Sequence, residues 1–390
     1  MLSRTFMRFW IARNFLRVTN VMFTVYFMWE IVVKYDSVFL ASLVPAFSLL
    51  GYVVIAVPFG YYLDRLNRSK LIFLTSILSF FVYSILMMSD ALYVVYGVAL
   101  ISFMLFMTMG DAFYASIKEL VVSEDLSKAM SMGSIGRAIS DLVGILAGGV
   151  TAYISPASFP PLVLLLSVIP VVFSFPSKME ENSGSGYSYT HALKVIKLLI
   201  PLLILAMTIN GTFVVLDVYA SGLFHLILKA SALYYTLFLL SFSLGAIVGG
   251  VVGGLVAKKI ARPLFLSLIS LGFGLSFVAI ALDRSPSLES IISFLLGISV
   301  SLINIPLDTL LTRIVPNQVM GRVNSIMQLF FTGSSPVMAF VYGYLTNFFS
   351  LVDVIMGVGI FGIMMSLPSY FVIKNFMKIK DEDVKRIMEK

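Results

Sequence analysis

Polar punctuation cuts this chain into twelve apolar runs, roughly 10–33, 38–61, 71–89, 92–117, 129–153, 159–176, 193–220, 231–257, 263–282, 287–312, 323–348 and 351–373. Each is close to the about 20 residues that an α-helix needs to cross a bilayer. A backbone in hydrocarbon finds no water to bond, so such a run must close its own hydrogen bonds as a helix. The pattern therefore predicts an all-α membrane protein with twelve transmembrane helices. Composition agrees: 59% of residues are apolar, 12% are charged and mean hydropathy is +1.00, far outside the range of water-soluble domains. The lipid bilayer is the expected surrounding.

The distribution of charge settles what the net +7 means. With a cytoplasmic N-terminus, all but Lys34, Lys229 and Arg284 of the 27 Lys and Arg residues fall in or beside cytoplasmic segments. The same asymmetry puts the C-terminus in the cytoplasm and predicts a multi-pass protein of the cell membrane. Because the basic residues are spread over short loops and form no single patch, no nucleic-acid partner is expected. Cysteine is absent and the two histidines, His191 and His225, lie far apart, so no metal site, cofactor or thiol chemistry is predicted. Arg13 and Arg17 interrupt the first run too early for a cleavable signal peptide.

A charged turn, Gly60-Tyr-Tyr-Leu-Asp64-Arg65-Leu-Asn67-Arg68-Ser69-Lys70, joins the second and third runs, and its chemistry returns 194 residues later as Gly254-Leu-Val-Ala-Lys258-Lys259-Ile-Ala-Arg262. Gly60 falls on Gly254, Arg65 on Lys259 and Arg68 on Arg262, while Asp64 has no counterpart. At the same offset Ser37 falls on Ser231, Gly51 on Gly245, Lys128 on Arg322, Ser131 on Ser325 and Gly149 on Gly343. A constant register across several helices points to duplication. The expected organisation is an N-terminal six-helix half over 1–176, a Gly/Ser-rich cytoplasmic linker over 177–192, a C-terminal six-helix half over 193–373 and a tail over 374–390. Two six-helix halves inserted the same way up are related by an axis along the membrane normal.

These residues resemble the major facilitator superfamily. Gly60-x-x-x-Asp64-Arg65-x-x-Arg68 is similar to that family's signature between its second and third helices. Val315-Pro316-Asn-Gln-Val-Met-Gly321-Arg322-Val-Asn-Ser325 is similar to the loop entering helix 11 in its efflux-type, drug/proton antiporter-like branch. Ser140-x-x-x-Gly144-Ile145-x-x-Gly148-Gly149 partly matches the antiporter sequence of helix 5. The resemblance implies the major facilitator fold and gating by Gly60, Asp64, Arg65, Arg68, Gly254, Lys259 and Arg262. Asp64 would brace the cytoplasmic gate, and Gly60 would let helices approach closely.

Polar groups inside the runs carry the rest of the reading. A charge at the bilayer centre costs about 3 kcal/mol on insertion scales, so it must be paired, hydrated or protonated. Asp141, near the middle of its run, has two readings. In one it forms a structural ion pair with Arg137, one turn earlier, or with a neighbouring helix. In the other it exchanges a proton or binds substrate opposite Arg17. Asp308 and Asp111 are further proton-coupling candidates, each open to a bracing role. Arg17, Asn20 and Thr24 share one face of the first helix and are candidates to line a substrate cavity, as are Asn210, Asp217 and Asn304. Arg13 is expected to snorkel to the cytoplasmic surface. Gly357-Val-Gly359-Ile-Phe-Gly362 spells a dinucleotide fingerprint, but it lies inside an apolar run without a preceding strand and reads as helix packing.

Together these features predict a monomeric secondary active transporter, not an enzyme, that moves a small organic solute by alternating access, outward and coupled to protons. Proton-coupled uptake of a sugar or organic acid is the alternative within transport. A non-transporting receptor on the same fold is the alternative outside it.

Overall fold

The structure, a computed structural model, describes residues 3–63, 67–121, 125–176, 189–260, 262–314 and 320–378, with the backbone path alone at some helical positions, among them 55–63, 210, 254–260 and 305–314. Twelve α-helices follow one another over these residues. They are α1 (Arg4–Tyr35), α2 (Val38–Leu63), α3 (Arg68–Ser84), α4 (Leu92–Leu120), α5 (Leu126–Ile154) and α6 (Phe159–Phe173), then α7 (Tyr189–Gly222), α8 (Ala232–Ile260), α9 (Pro263–Leu282), α10 (Pro286–Ile314), α11 (Met320–Leu345) and α12 (Leu351–Phe376). Among the described residues, ten helices are long and apolar enough to cross a membrane, and α2 adds a shorter apolar stretch, Val38–Val54.

Local chemistry sets the ends. Ser3 caps α1 by accepting from the Phe6 amide at 3.1 Å, and α1 stops where Asp36 takes a left-handed conformation with φ of 49°. Asn67 caps α3 by accepting from the Lys70 amide at 3.1 Å, and Arg68 donates to the Ala115 carbonyl near the end of α4 at 3.0 Å. The second charged turn ends differently: Pro263 opens α9, and the exposed Arg262 makes no side-chain cap. Asp64 and Arg65 lie outside the described residues, and of Gly60, Gly254, Lys259, Asn210 and Asp308 the backbone path alone is described. The helix α7 begins four residues before the predicted start at 193, and it closes in a π-helical turn, Leu223–Ile227.

The chain forms two compact units, Met1–Gly184 with Ala230–Thr236, and Ser185–Lys229 with Leu237–Lys390. In the first, α1 packs on α2, α4, α5 and α6, while α4 packs on α2 and α3, and α3 on α6. Inside the second, four of these pairings recur six helices later: α7 on α11 and α12, and α9 on α10 and α12. Shifting the helix number by six converts the packing of α1 on α5 and α6, and of α3 on α4 and α6, into that set.

Glycines explain how some of these helices meet. A Cβ placed on Gly51 of α2 would run into the Leu100 carbonyl of α4, and one on Gly245 of α8 would run into the Phe294 carbonyl of α10. Leu100 and Phe294 are themselves 194 residues apart, so the repeat extends to a single backbone contact. Between α9 and α12, a Cβ on Gly274 would stand 2.8 Å from the Gly359 carbonyl. Two glycines of the apparent dinucleotide fingerprint, Gly359 and Gly362, thus serve helix packing, whereas a Cβ on Gly357 would meet nothing within 4 Å.

In the first unit α1 is the enclosed element. Ala12, Arg13 and Asn14 are buried in succession, as are Val18, Thr19 and Asn20, so every face of the helix meets protein. Higher up, Tyr26 stacks on Phe159 of α6 with ring centroids 3.9 Å apart.

Candidate functional site

Three glycines on one face of α5 bring that helix against α1. Additional Cβ atoms would meet the Asn14 amide at Gly136, the Val21 side chain at 2.7 Å at Gly144, and the Met22 carbonyl at 2.7 Å at Gly148. Trp10 reinforces the seam by donating from Nε1 to the Met132 carbonyl at 2.9 Å. With the two backbones this close, side chains one residue round the helix from the glycine face reach α1 directly.

Asp141 is one of them. Arg17 clamps its carboxylate with both prongs, Nε to Oδ1 at 2.5 Å and Nη2 to Oδ2 at 2.9 Å. The planar fork matches a carboxylate, and such charge-assisted pairs are about twice as strong as neutral hydrogen bonds. The guanidinium also lies 5.5 Å from the Phe106 ring centre on α4. Neither partner is sealed off, since the side chains are 21% and 28% exposed. The structure therefore pairs Asp141 with Arg17 and not with Arg137.

Arg137 turns instead to Tyr114 of α4, donating from Nη2 to the phenol oxygen at 3.0 Å, and Arg13 donates to the same oxygen at 3.1 Å. Arg13 is 3% exposed and its carbon Cζ sits 4.6 Å from the Tyr114 ring centre. The expectation that Arg13 snorkels to the surface is corrected here. The helix around it is enclosed on every side, so its shortest route to a polar partner runs sideways to α4. Its Nε and Nη1 find no hydrogen-bond acceptor among the described residues.

Asn20, one turn beyond Arg17, is 5% exposed and lies with Thr19 and Ser102 around the buried hydroxyl of Tyr83. Thr24 bonds back to the Asn20 carbonyl at 3.1 Å. Asp111 sits one turn before Tyr114 on α4, within electrostatic range of Arg13 and Tyr52, and is exposed. Of the predicted residues, then, Arg17 and Asp141 are brought together, with Asp111 within electrostatic range of Arg13.

In the second unit Asp217 stands on α7 as the one exposed residue between positions 211 and 224. Asn304 of α10 is half-buried. Sequence reasoning missed Tyr114, Tyr83 and Phe106, which carried no charge to mark them. It also missed Glu289, whose carboxyl is 0% exposed without a hydrogen-bond partner for either oxygen among the described residues. A carboxylate so near the start of an apolar run was the available signal.

Among the described residues no cluster of His, Asp or Glu could hold a metal ion. What the first unit brings together is a set of arginines, a carboxylate paired with one of them, and aromatic rings.

Comparison with known proteins agrees with this architecture. An aspartate-to-alanine variant of the nucleoside transporter NupG superposes with a TM-score of 0.78 at 12% identity, covering 96% of this chain and 100% of that one. A bacterial homologue of the human lysosomal transporter Spinster gives 0.70 at 12% identity over 99% of this chain and 96% of that one. A D-xylose–proton symporter gives 0.70 at 14% identity over 93% and 96%. No curated protein matches the sequence. The sequence profile of the Major Facilitator Superfamily matches residues 9–339, most of the chain. With twelve helices, an internally repeated set of helix pairings and that match, the chain belongs to the Major Facilitator Superfamily, a family of membrane transporters.

Proposed function

We propose that this protein is a secondary active transporter that moves a small organic solute outward in exchange for protons, with Asp141 as the proton-exchanging group. The observation that carries the reading is the Arg17–Asp141 clamp, a bidentate ion pair on two helices that meet over glycines, with both side chains partly open to water. Adding a proton to Asp141 removes the charge that holds Arg17, and losing it restores the clamp. Proton occupancy then governs whether Arg17 is free to face the solute. Alternating exposure of that solute to the two sides of the membrane completes the cycle.

The outward direction rests on the helix-5 sequence Ser140-x-x-x-Gly144-Ile145-x-x-Gly148-Gly149, two of whose glycines form the α1–α5 contact. The cell membrane is the proposed location, with both termini cytoplasmic, the monomer the working unit, and Asp64 with the two basic turns the gate. Asp308, Asp111, Asp217, Asn210 and Asn304 stay as candidates for secondary proton or solute contacts.

The test begins with a thermal-shift screen of small organic solutes on purified protein, followed by proteoliposome transport with an imposed pH gradient. Wild type is expected to move the solute against its gradient at the expense of the proton gradient. In Asp141→Asn, gradient-driven transport should fall at least tenfold while solute exchange at equal pH persists. Unchanged coupling in Asp141→Asn overturns the role of Asp141, and accumulation in the direction of proton flow replaces efflux with uptake.

A further inference from the structure

Beyond Arg17 and Asp141, the first unit holds a second cationic group that the proton-exchange reading leaves unused. Tyr114 accepts from Arg13 at 3.1 Å and from Arg137 at 3.0 Å. A phenol oxygen has two lone pairs and one proton, so both acceptor positions are filled and the hydroxyl is left only to donate. No acceptor for that proton lies among the described residues. Arg13 adds two more donors, Nε and Nη1, that are buried and unpartnered. Neither Arg13 nor Arg137 has a carboxylate within ion-pair distance among the described residues, where the pairs are Arg17–Asp141 and Lys34–Asp90.

Two guanidinium groups converging on one oxygen repel each other, and each is costly in a membrane-spanning segment without a counter-charge. Asp111 lies within electrostatic range of Arg13 without pairing with it, so neither guanidinium has a carboxylate in contact among the described residues. The arrangement is open on one side: Arg13 is 3% exposed, behind the phenol, whereas Arg137 is exposed and Tyr114 half-buried. A ligand oxygen placed beside Tyr114 could accept from its hydroxyl and from the free N–H groups of Arg137 at once, with the charge of Arg13 behind them. That is the recognition chemistry of a carboxylate or a phosphate.

We infer that Arg137, Tyr114 and Arg13 form a binding site for the anionic group of the transported solute, a carboxylate or phosphate. The inference rests on the proposed transport function and names the substrate class for it. Arg137 would contact the anion through its fork and Tyr114 through its hydroxyl, with Arg13 holding the phenol in its donating orientation. Arg137 lies about 16 Å along α5 from Leu126, by the helical rise of 1.5 Å per residue. That distance from the start of the helix favours a soluble anion over a lipid phosphate held near the helix end.

The experiment reads binding without transport, so a failure of coupling and a failure of this site are distinguishable. Protein purified in neutral detergent is titrated with succinate or inorganic phosphate at constant ionic strength, with sodium chloride as control. Thermal unfolding is followed for wild type, Arg137→Gln and Tyr114→Phe. The expected result is a saturable upward shift in wild type with at least one anion, at least tenfold weaker in both variants. A parallel arm compares nanodiscs of phosphatidylcholine with nanodiscs containing phosphatidylglycerol. A shift that depends on Arg137 only with the anionic lipid keeps the anion site and assigns its occupant to a headgroup, overturning the solute assignment. If Arg137→Gln is not monodisperse, Arg137→Lys replaces it, and a tenfold loss with the charge retained reports the missing fork. Overturning the site altogether takes one outcome: no anion, soluble or lipid, stabilises wild type more than the variants.

Discussion

At the scale of single residues, Arg13 shows a conflict between stability and use. Its Tyr114 hydrogen bond and its stacking on that ring hold it in place, yet two of its donors are buried without acceptors. An unmade hydrogen bond on a buried charged group costs about 1–3 kcal/mol or more, whereas replacing buried ionic groups with apolar ones of similar volume is often neutral or stabilising. Arg13→Met is therefore expected to leave the protein as stable as wild type or about 1 kcal/mol more stable in denaturant titration, while weakening anion binding. A drop of several kcal/mol instead would mean that Arg13 is fully satisfied in the folded protein. The pairing of Arg17 with Asp141 could be raised from sequence, because both are charges inside apolar runs. Tyr114 could not, since a tyrosine in such a run is equally a packing residue. The burial of Asn20 was hidden for a related reason: helical periodicity tells which residues share a stripe, but not which neighbour covers it. On α1 neighbours cover every stripe.

At the scale of elements, close contact between helices depends on residues with no side chain. Gly51 and Gly245 each face a carbonyl of the paired helix, whereas a Cβ added to Gly97 of α4 meets nothing within 4 Å. Gly51→Ala and Gly245→Ala should each destabilise by about 2 kcal/mol or more, because backbone must move to admit the methyl group. Gly97→Ala should be neutral or stabilising by up to about 1 kcal/mol, from helix propensity alone. Thermal unfolding of the three purified variants checks this, and equal losses at Gly97 and Gly51 would contradict the packing. The number and order of the helices were legible because each apolar run must satisfy its backbone internally. Their partners were not legible, except where the repeat tied one glycine to another, because apolar surfaces in lipid do not specify their neighbours by composition. The early start of α7 escaped notice because the residues before 193 are polar enough to read as linker.

At the scale of the whole molecule, the claim most open to test is that both halves insert the same way up. The chain contains no cysteine, so single substitutions can be labelled without further engineering. Cysteines at Lys70 and Arg262, both exposed, should react with an impermeant maleimide from the same side of the membrane, and cysteines at Asp36 and Arg284 from the other. Finding positions 70 and 262 on opposite sides would remove the parallel duplication and the transport cycle built on it. The contact of Gly51 with the Leu100 carbonyl, matched by Gly245 with Phe294, bears on the history of such a chain. After one gene segment was copied, most side chains in each copy could drift, since lipid tolerates many apolar surfaces. A hydrogen atom pressed against a carbonyl had no smaller substitute. Such points outlast the similarity around them, and they would let the ancestral unit be aligned in descendants whose two copies no longer look alike.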